Sequence, residues 1–208
     1  MPHTYTTIIF DLGNVLLFHD NDRIHRGLAD LAGCSVEEAR RRLYDGGLWR
    51  AFDEGRLTPA AFHAELCRRL GIAWEFEGFV RLWNGIFTPN EPALALVERL
   101  RGRYRLVILS NTNPVHLAHI RAAHGRILAP FDHVVASCEA GCGKPDPAAF
   151  RLALELAGAE PRETVFIDDL EPYVHAAEGL GLTGVPFTGA PQLERALAAL
   201  GVLTGPAT

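Results

Sequence analysis

The chain has 208 residues and a formal net charge of −5, from 20 Lys and Arg against 25 Asp and Glu. With 48% hydrophobic and 22% charged residues it has the composition of a globular protein, long enough for one sizeable core plus an inserted subdomain, and not that of a disordered chain. The acidic balance argues against a general nucleic-acid binder, and no stretch approaches the roughly 20 apolar residues of a membrane-spanning helix.

The first stretch, Met1 to Thr7, lacks the basic flank of a signal peptide, and the apolar letters after it are broken by Asp11 and Asn14. The expected location is therefore cytoplasmic. Thr6 to Phe10 reads as a strand that stops at the polar turn Asp11-Leu12-Gly13-Asn14. Residues 19–87 carry no convincing strand but four helix-like segments, Asp22–Leu31, Ser35–Tyr44, Thr58–Leu70 and Trp74–Phe87. Ser35 and Glu38 have the spacing of a capping box. This region reads as a helical insertion after the first strand.

Beyond it, helix and strand alternate. Pro92–Arg101 is an amphipathic helix, and Tyr104–Leu109 is a strand that ends at Ser110-Asn111-Thr112-Asn113. A helix carrying His116, His119 and His124 follows, then a weaker strand at His133–Ala136. After the Gly/Pro turn at Gly141–Pro147, Asp146 caps a helix running to about Ala157. Thr164–Ile167 is the third clear strand and ends at Asp168-Asp169; Pro172–Leu180, Thr183–Phe187 and Pro191–Leu200 read as helix, strand and helix. The alternation implies right-handed crossovers and a parallel sheet whose carboxyl ends meet on one edge, where such sheets bind ligands.

Residues able to do chemistry gather at those ends. A strand-end carboxylate such as Asp11 is costly unless it has partners or a task, although an Asp that merely caps a turn has the same signature. The repelling pair Asp168 and Asp169 suits a hard cation, or a solvated turn. Lys144 lies between Gly143 and Pro145, in a turn that lets backbone approach closely and aims the ammonium. Ser110 and Asn111 offer a hydroxyl and backbone N–H groups to an anion. The cysteines Cys34, Cys67, Cys138 and Cys142 form no disulfide or zinc framework.

Taken in order, a strand-end Asp, a strand-end Ser, a Lys in a Gly/Pro turn and a strand-end Asp pair resemble the four motifs of the haloacid dehalogenase superfamily. They stand here as Phe10-Asp11-Leu12-Gly13-Asn14-Val15, Leu109-Ser110-Asn111, Gly143-Lys144-Pro145-Asp146-Pro147 and Phe166-Ile167-Asp168-Asp169. Within it, Asp-Leu-Gly-Asn-Val is similar to the first motif of small phosphatases acting on glucose 1-phosphate and related sugar phosphates. The resemblance implies an α/β fold, with a Rossmann-like parallel sheet core (1–18 and 88–208) and a helical cap (19–87). It also implies Mg²⁺ as cofactor and a small phosphorylated molecule as substrate. Asp11 would then be the nucleophile, Ser110 and the N–H groups around Leu12, Gly13 and Asn111 would hold the phosphoryl oxygens, and Lys144 would neutralise charge. Asp11, the Gly13 carbonyl and Asp169 would hold the metal, with Asp168 as a further ligand or just behind them.

Two departures matter. Phosphatases of the superfamily carry a second Asp, the general acid and base, where this chain has Gly13. A substrate with a better leaving group, a recruited acid such as His19, Asp20 or His25, or chemistry that needs no acid would each account for it. The last describes a 2-haloacid dehalogenase, which uses no metal and lacks the Asp-Asp pair; a non-catalytic binding module is a third reading. The second departure is Tyr173, which replaces an Asn of close relatives. In the insertion, Trp49, Phe52, Trp74 and Trp83 read as packing residues, and Arg50, Asp53 and Arg56 as candidates for contacting sugar hydroxyls.

Overall fold

The structure, a computed structural model, describes residues 4–203; the first three residues of the N-terminal stretch and residues 204–208 lie outside the described residues. Strand β1 (Thr7–Phe10) is buried along its whole length, as its unbroken β-branched and aromatic run requires of a strand covered on both faces. The chain then forms a short strand β2 (Leu17–His19) and enters the helices α1 (Asn21–Ala32), α2 (Val36–Tyr44), α3 (Leu48–Asp53), α4 (Pro59–Leu70) and α5 (Phe76–Asn84). It returns through β3 (Phe87–Pro89), which pairs antiparallel with β2, placing His19 opposite Phe87.

Side chains start three of these helices. Asp20 accepts from the Asp22 N–H, Ser35 from Glu38 and Thr58 from Ala61, each a cap whose loss costs about 1 kcal/mol. The capping box at Ser35 is only half formed, because the Glu38 carboxylate turns to Arg41 and Arg42 instead. Three expectations for 19–87 are corrected, the first being the number of helices, since α3 lies outside the four expected segments. The last helix ends at Asn84 rather than Phe87, and both ends of the segment are strands whose partners lie about 70 residues apart in sequence, beyond the reach of a local pattern.

The second half is built as β–α units: α6 (Glu91–Leu100), β4 (Arg105–Ser110), α7 (Pro114–Ala123), α8 (Gly125–Leu128), β5 (His133–Ala136), α9 (Ser137–Ala140), α10 (Pro147–Ala157), β6 (Thr164–Asp168), α11 (Glu171–Glu178), β7 (Thr183–Pro186) and α12 (Ala190–Ala199). His124 lies just past the end of α7 rather than on it. The five strands form one parallel sheet in the order β5-β4-β1-β6-β7. This is the expected α/β class, with the first strand at the centre.

Side chains alternate across that sheet. Ile8, Phe10, Leu106, Ile108, Val165 and Ile167 pack into one apolar layer. Ile9, Val107, Leu109 and Phe166 pack into the opposite layer, against α10. A third cluster holds the insertion together, with Phe52 stacked on Phe62 at 4.0 Å and Trp83 fully buried. No helix among the described residues is long and apolar enough to cross a membrane.

Candidate active site

From the central strand β1 the chain goes to β4 and β5 on one side, then to β6 and β7 on the other. A parallel sheet opens a crevice where its order reverses in this way. The carboxyl ends of β1, β4 and β6 place Asp11, Ser110 and Asp168 around it. Register fixes this, since Phe10 pairs with both Ile108 and Ile167.

Lys144 arrives from the loop between α9 and α10. Its Nζ lies 2.6 Å from Asp11 Oδ1 and 2.6 Å from Asp168 Oδ2, and all three side chains are buried. The loop is held by a reciprocal pair: the Lys144 N–H donates to Asn111 Oδ1 at 2.8 Å, and Asn111 Nδ2 donates to the Lys144 carbonyl at 2.7 Å. Glycine at 143 permits this approach, because a Cβ there would stand 2.6 Å from Asn111 Oδ1. The Tyr173 ring lies 5.2 Å from the ammonium, close enough for a cation–π contact.

Burial, the largest influence, pushes the Asp11 carboxyl up to about 7, with Lys144 pulling the other way. Burial also opposes the charge on Lys144, but Asp11 and Asp168 outweigh it and hold the ammonium above its ordinary range. Asp168 is raised by its own burial. Its second oxygen accepts from the Leu170 N–H at 2.9 Å, so both of its oxygens are engaged. Asp169 faces the cavity and accepts from Asn14 Nδ2 at 3.2 Å.

The cavity has a volume of about 390 Å³, the size of a small-ligand pocket. Asp11, Leu12, Gly13, Ser110, Asn111, Lys144 and Asp169 all line it, while Asp168 sits behind Lys144. Oxygens of Asp11, Asp168 and Asp169 come within 4.8 Å of one another. Three carboxyl groups gathered around one ammonium suit a hard divalent cation with oxygen ligands.

From the insertion, His19, Asn21, Asp53 and Phe87 add to the wall, as does Trp49, which the sequence reads as a packing residue. Burial pushes the Asp53 carboxyl up to about 7, and Asn113 Nδ2 donates to it at 3.4 Å. Arg50 and Arg56 do not line the cavity; both pair with Glu54, at 2.7 Å. His116 also lines the cavity, but both of its ring nitrogens are engaged: Nε2 lies 3.1 Å from the Trp83 carbonyl and Nδ1 3.0 Å from Asn113 Nδ2. Sequence reasoning gave no role to Asn14. Its signal is an Asn at a turn position with φ 54°, which Asn tolerates better than most residues.

A family model for haloacid dehalogenase-like hydrolases matches residues 5–181. The chain is 28% identical over 192 residues to a D-ribitol-5-phosphate phosphatase of Bacteroides thetaiotaomicron, covering 88% of this chain and 92% of that one. It is 27% identical over 192 residues to a sesquiterpene phosphatase of Aspergillus oryzae, covering 90% and 92%. In structure it is similar to a HAD family enzyme from Bacteroides thetaiotaomicron, in complex with magnesium and inorganic phosphate. That likeness has a TM-score of 0.80 at 25% identity and covers 89% of this chain and 95% of the other.

Proposed function

The chain belongs to the haloacid dehalogenase-like hydrolases, and on that premise we propose that it is a Mg²⁺-dependent phosphomonoesterase. Its substrate is a small phosphorylated metabolite, a sugar 1-phosphate or a related sugar or polyol phosphate, and it works through an aspartyl-phosphate on Asp11. One observation carries the reading: a buried carboxylate on the cavity wall is held 2.6 Å from a buried ammonium, beside two further carboxylates. The phosphatase names of the two relatives and the magnesium and phosphate in the similar structure support it.

Asp11 and Asp169, with the Gly13 carbonyl, would hold Mg²⁺, and Asp168 supports them by fixing Lys144. When bound, the ion offsets the repulsion between an anionic nucleophile and an anionic phosphate. An Asp11 oxygen bonds to phosphorus as the bond to the leaving oxygen breaks; water then releases phosphate and restores the carboxylate. Ser110 and the backbone N–H groups around Leu12, Gly13 and Asn111 bind the phosphoryl oxygens, and Lys144 stabilises the charge that builds on them. Residues 19–87 act as the cap, presenting Trp49 and Asp53 to the substrate's non-phosphate end.

A screen of sugar phosphates, acyl phosphates and nucleotides, with Mg²⁺ and with EDTA, tests the reading. Phosphate release from a sugar or polyol phosphate that EDTA abolishes is expected. Halide release from 2-chloropropionate without added metal would overturn it.

A further inference from the structure

We infer that His19 carries the proton that a carboxylate at position 13 would otherwise carry, giving it to the leaving oxygen and then taking one from the attacking water. The inference rests on the phosphomonoesterase reading above and concerns how that reaction proceeds without an acid at Gly13.

Geometry singles out this imidazole. A Cβ built on Gly13 would lie 3.1 Å from His19 Cε1, 3.3 Å from Nδ1 and 3.9 Å from Asp11 Oδ2. The ring therefore occupies the space into which a side chain at 13 would project, next to the Asp11 carboxylate. It is held there by the pairing of β2 with β3 and by its own N–H, 3.5 Å from Asn14 Oδ1. Among the described residues neither ring nitrogen of His19 has a hydrogen-bond partner, and the residue lines the cavity. The other candidates are committed elsewhere. Asp20 caps α1 and faces Arg26, while His25 has Asp22 on one nitrogen and Tyr44 on the other; neither lines the cavity.

The steps balance. As Asp11 bonds to phosphorus and the bond to the leaving oxygen breaks, the His19 imidazolium passes its proton to that oxygen. Neutral His19 then takes a proton from water as the water oxygen bonds to phosphorus, and the electron pair of the phosphorus–Asp11 bond returns to the carboxylate. Each turnover ends with His19 carrying the proton it began with, so water is the sole co-reactant.

The test compares His19→Asn with the wild type on a sugar phosphate and on acetyl phosphate, whose acetate leaves without a proton, with Mg²⁺ present. The readout is kcat/KM, which covers the steps through formation of the aspartyl-phosphate. A loss of about 10²–10⁴ on the sugar phosphate is expected, the range typical of a general acid, with a change below about threefold on acetyl phosphate. In the double variant Gly13→Asp with His19→Ala, the carboxylate enters the space the ring vacates and recovers activity on the sugar phosphate. An equal loss on both substrates, or no loss on either, overturns the inference. Mg²⁺-dependent turnover of acetyl phosphate by the wild type supports the phosphatase reading whatever His19 does, whereas a wild type inert to both substrates overturns the two together.

Discussion

Gly143 decides how closely the Lys144 loop can approach the end of β4. A methyl group there would stand 2.6 Å from Asn111 Oδ1 and 3.0 Å from Ser137 Cβ, so Asn111 must move and release the Lys144 backbone. Gly143→Ala is therefore expected to cost about 1–3 kcal/mol, the range for overpacking a filled site, read as a lower urea midpoint. Phosphate release should fall with it, because Lys144 loses its aim; unchanged stability and rate would contradict this. At this scale the sequence was informative where residues recur in motif order: Asp11, Ser110, Lys144 and Asp169 are all found on one cavity. Asp53 is named from the sequence and does line the cavity, but the contacts that hold Asn14 and Asp53 were not legible. Their partners, Asp169 and Asn113, lie 155 and 60 residues away in sequence.

Among the elements, α3 joins insertion and core through α9, as α5 does through α7. Gly55, two residues past the end of α3, has φ +69°, and a Cβ there would lie 2.1 Å from the Cys138 carbonyl of α9. Nearby, Ser137 Oγ lies 2.5 Å from the Asp53 carbonyl. Gly55→Ala adds both a disfavoured backbone conformation and a clash with main chain, so α3 must separate from α9. The expected result is a loss of about 1–3 kcal/mol and a raised KM, since Trp49 and Asp53 move with α3; a KM equal to wild type would show that this contact does not shape the pocket. α3 escaped the sequence reading because it is six residues long and follows Gly46 and Gly47, both at positive φ. Strands β2 and β3 escaped for another reason: three-residue strands have too few side chains to show a period of two. The core strands were legible because each is an apolar run ended by a polar turn.

For the whole molecule, the net charge of −5 coexists with an anion-binding proposal because the acidic groups at the sheet edge are arranged around Lys144 and a cation site. Stability should also carry a signature of the packing between α7 and α5. His116 is buried there and its pKa is lowered from 6.5 to about 3, chiefly by burial. The unfolded chain therefore binds a proton below about pH 6.5 that the folded chain refuses until about pH 3, so stability falls as pH drops through that window. One such group contributes a slope of about 1.4 kcal/mol per pH unit. In His116→Gln, which keeps an N–H for the Trp83 carbonyl, the difference from wild type should shift in the variant's favour as pH falls from 6.5 to 4; a constant difference would contradict the assignment. The central claim, that Asp11 accepts a phosphoryl group beside a bound Mg²⁺, is tested most directly by thermal unfolding with beryllium fluoride, which mimics an aspartyl-phosphate. The account predicts a rise in Tm for the wild type that requires both Mg²⁺ and fluoride and is absent in Asp11→Asn. An equal rise in Asp11→Asn, or none in the wild type, would contradict it.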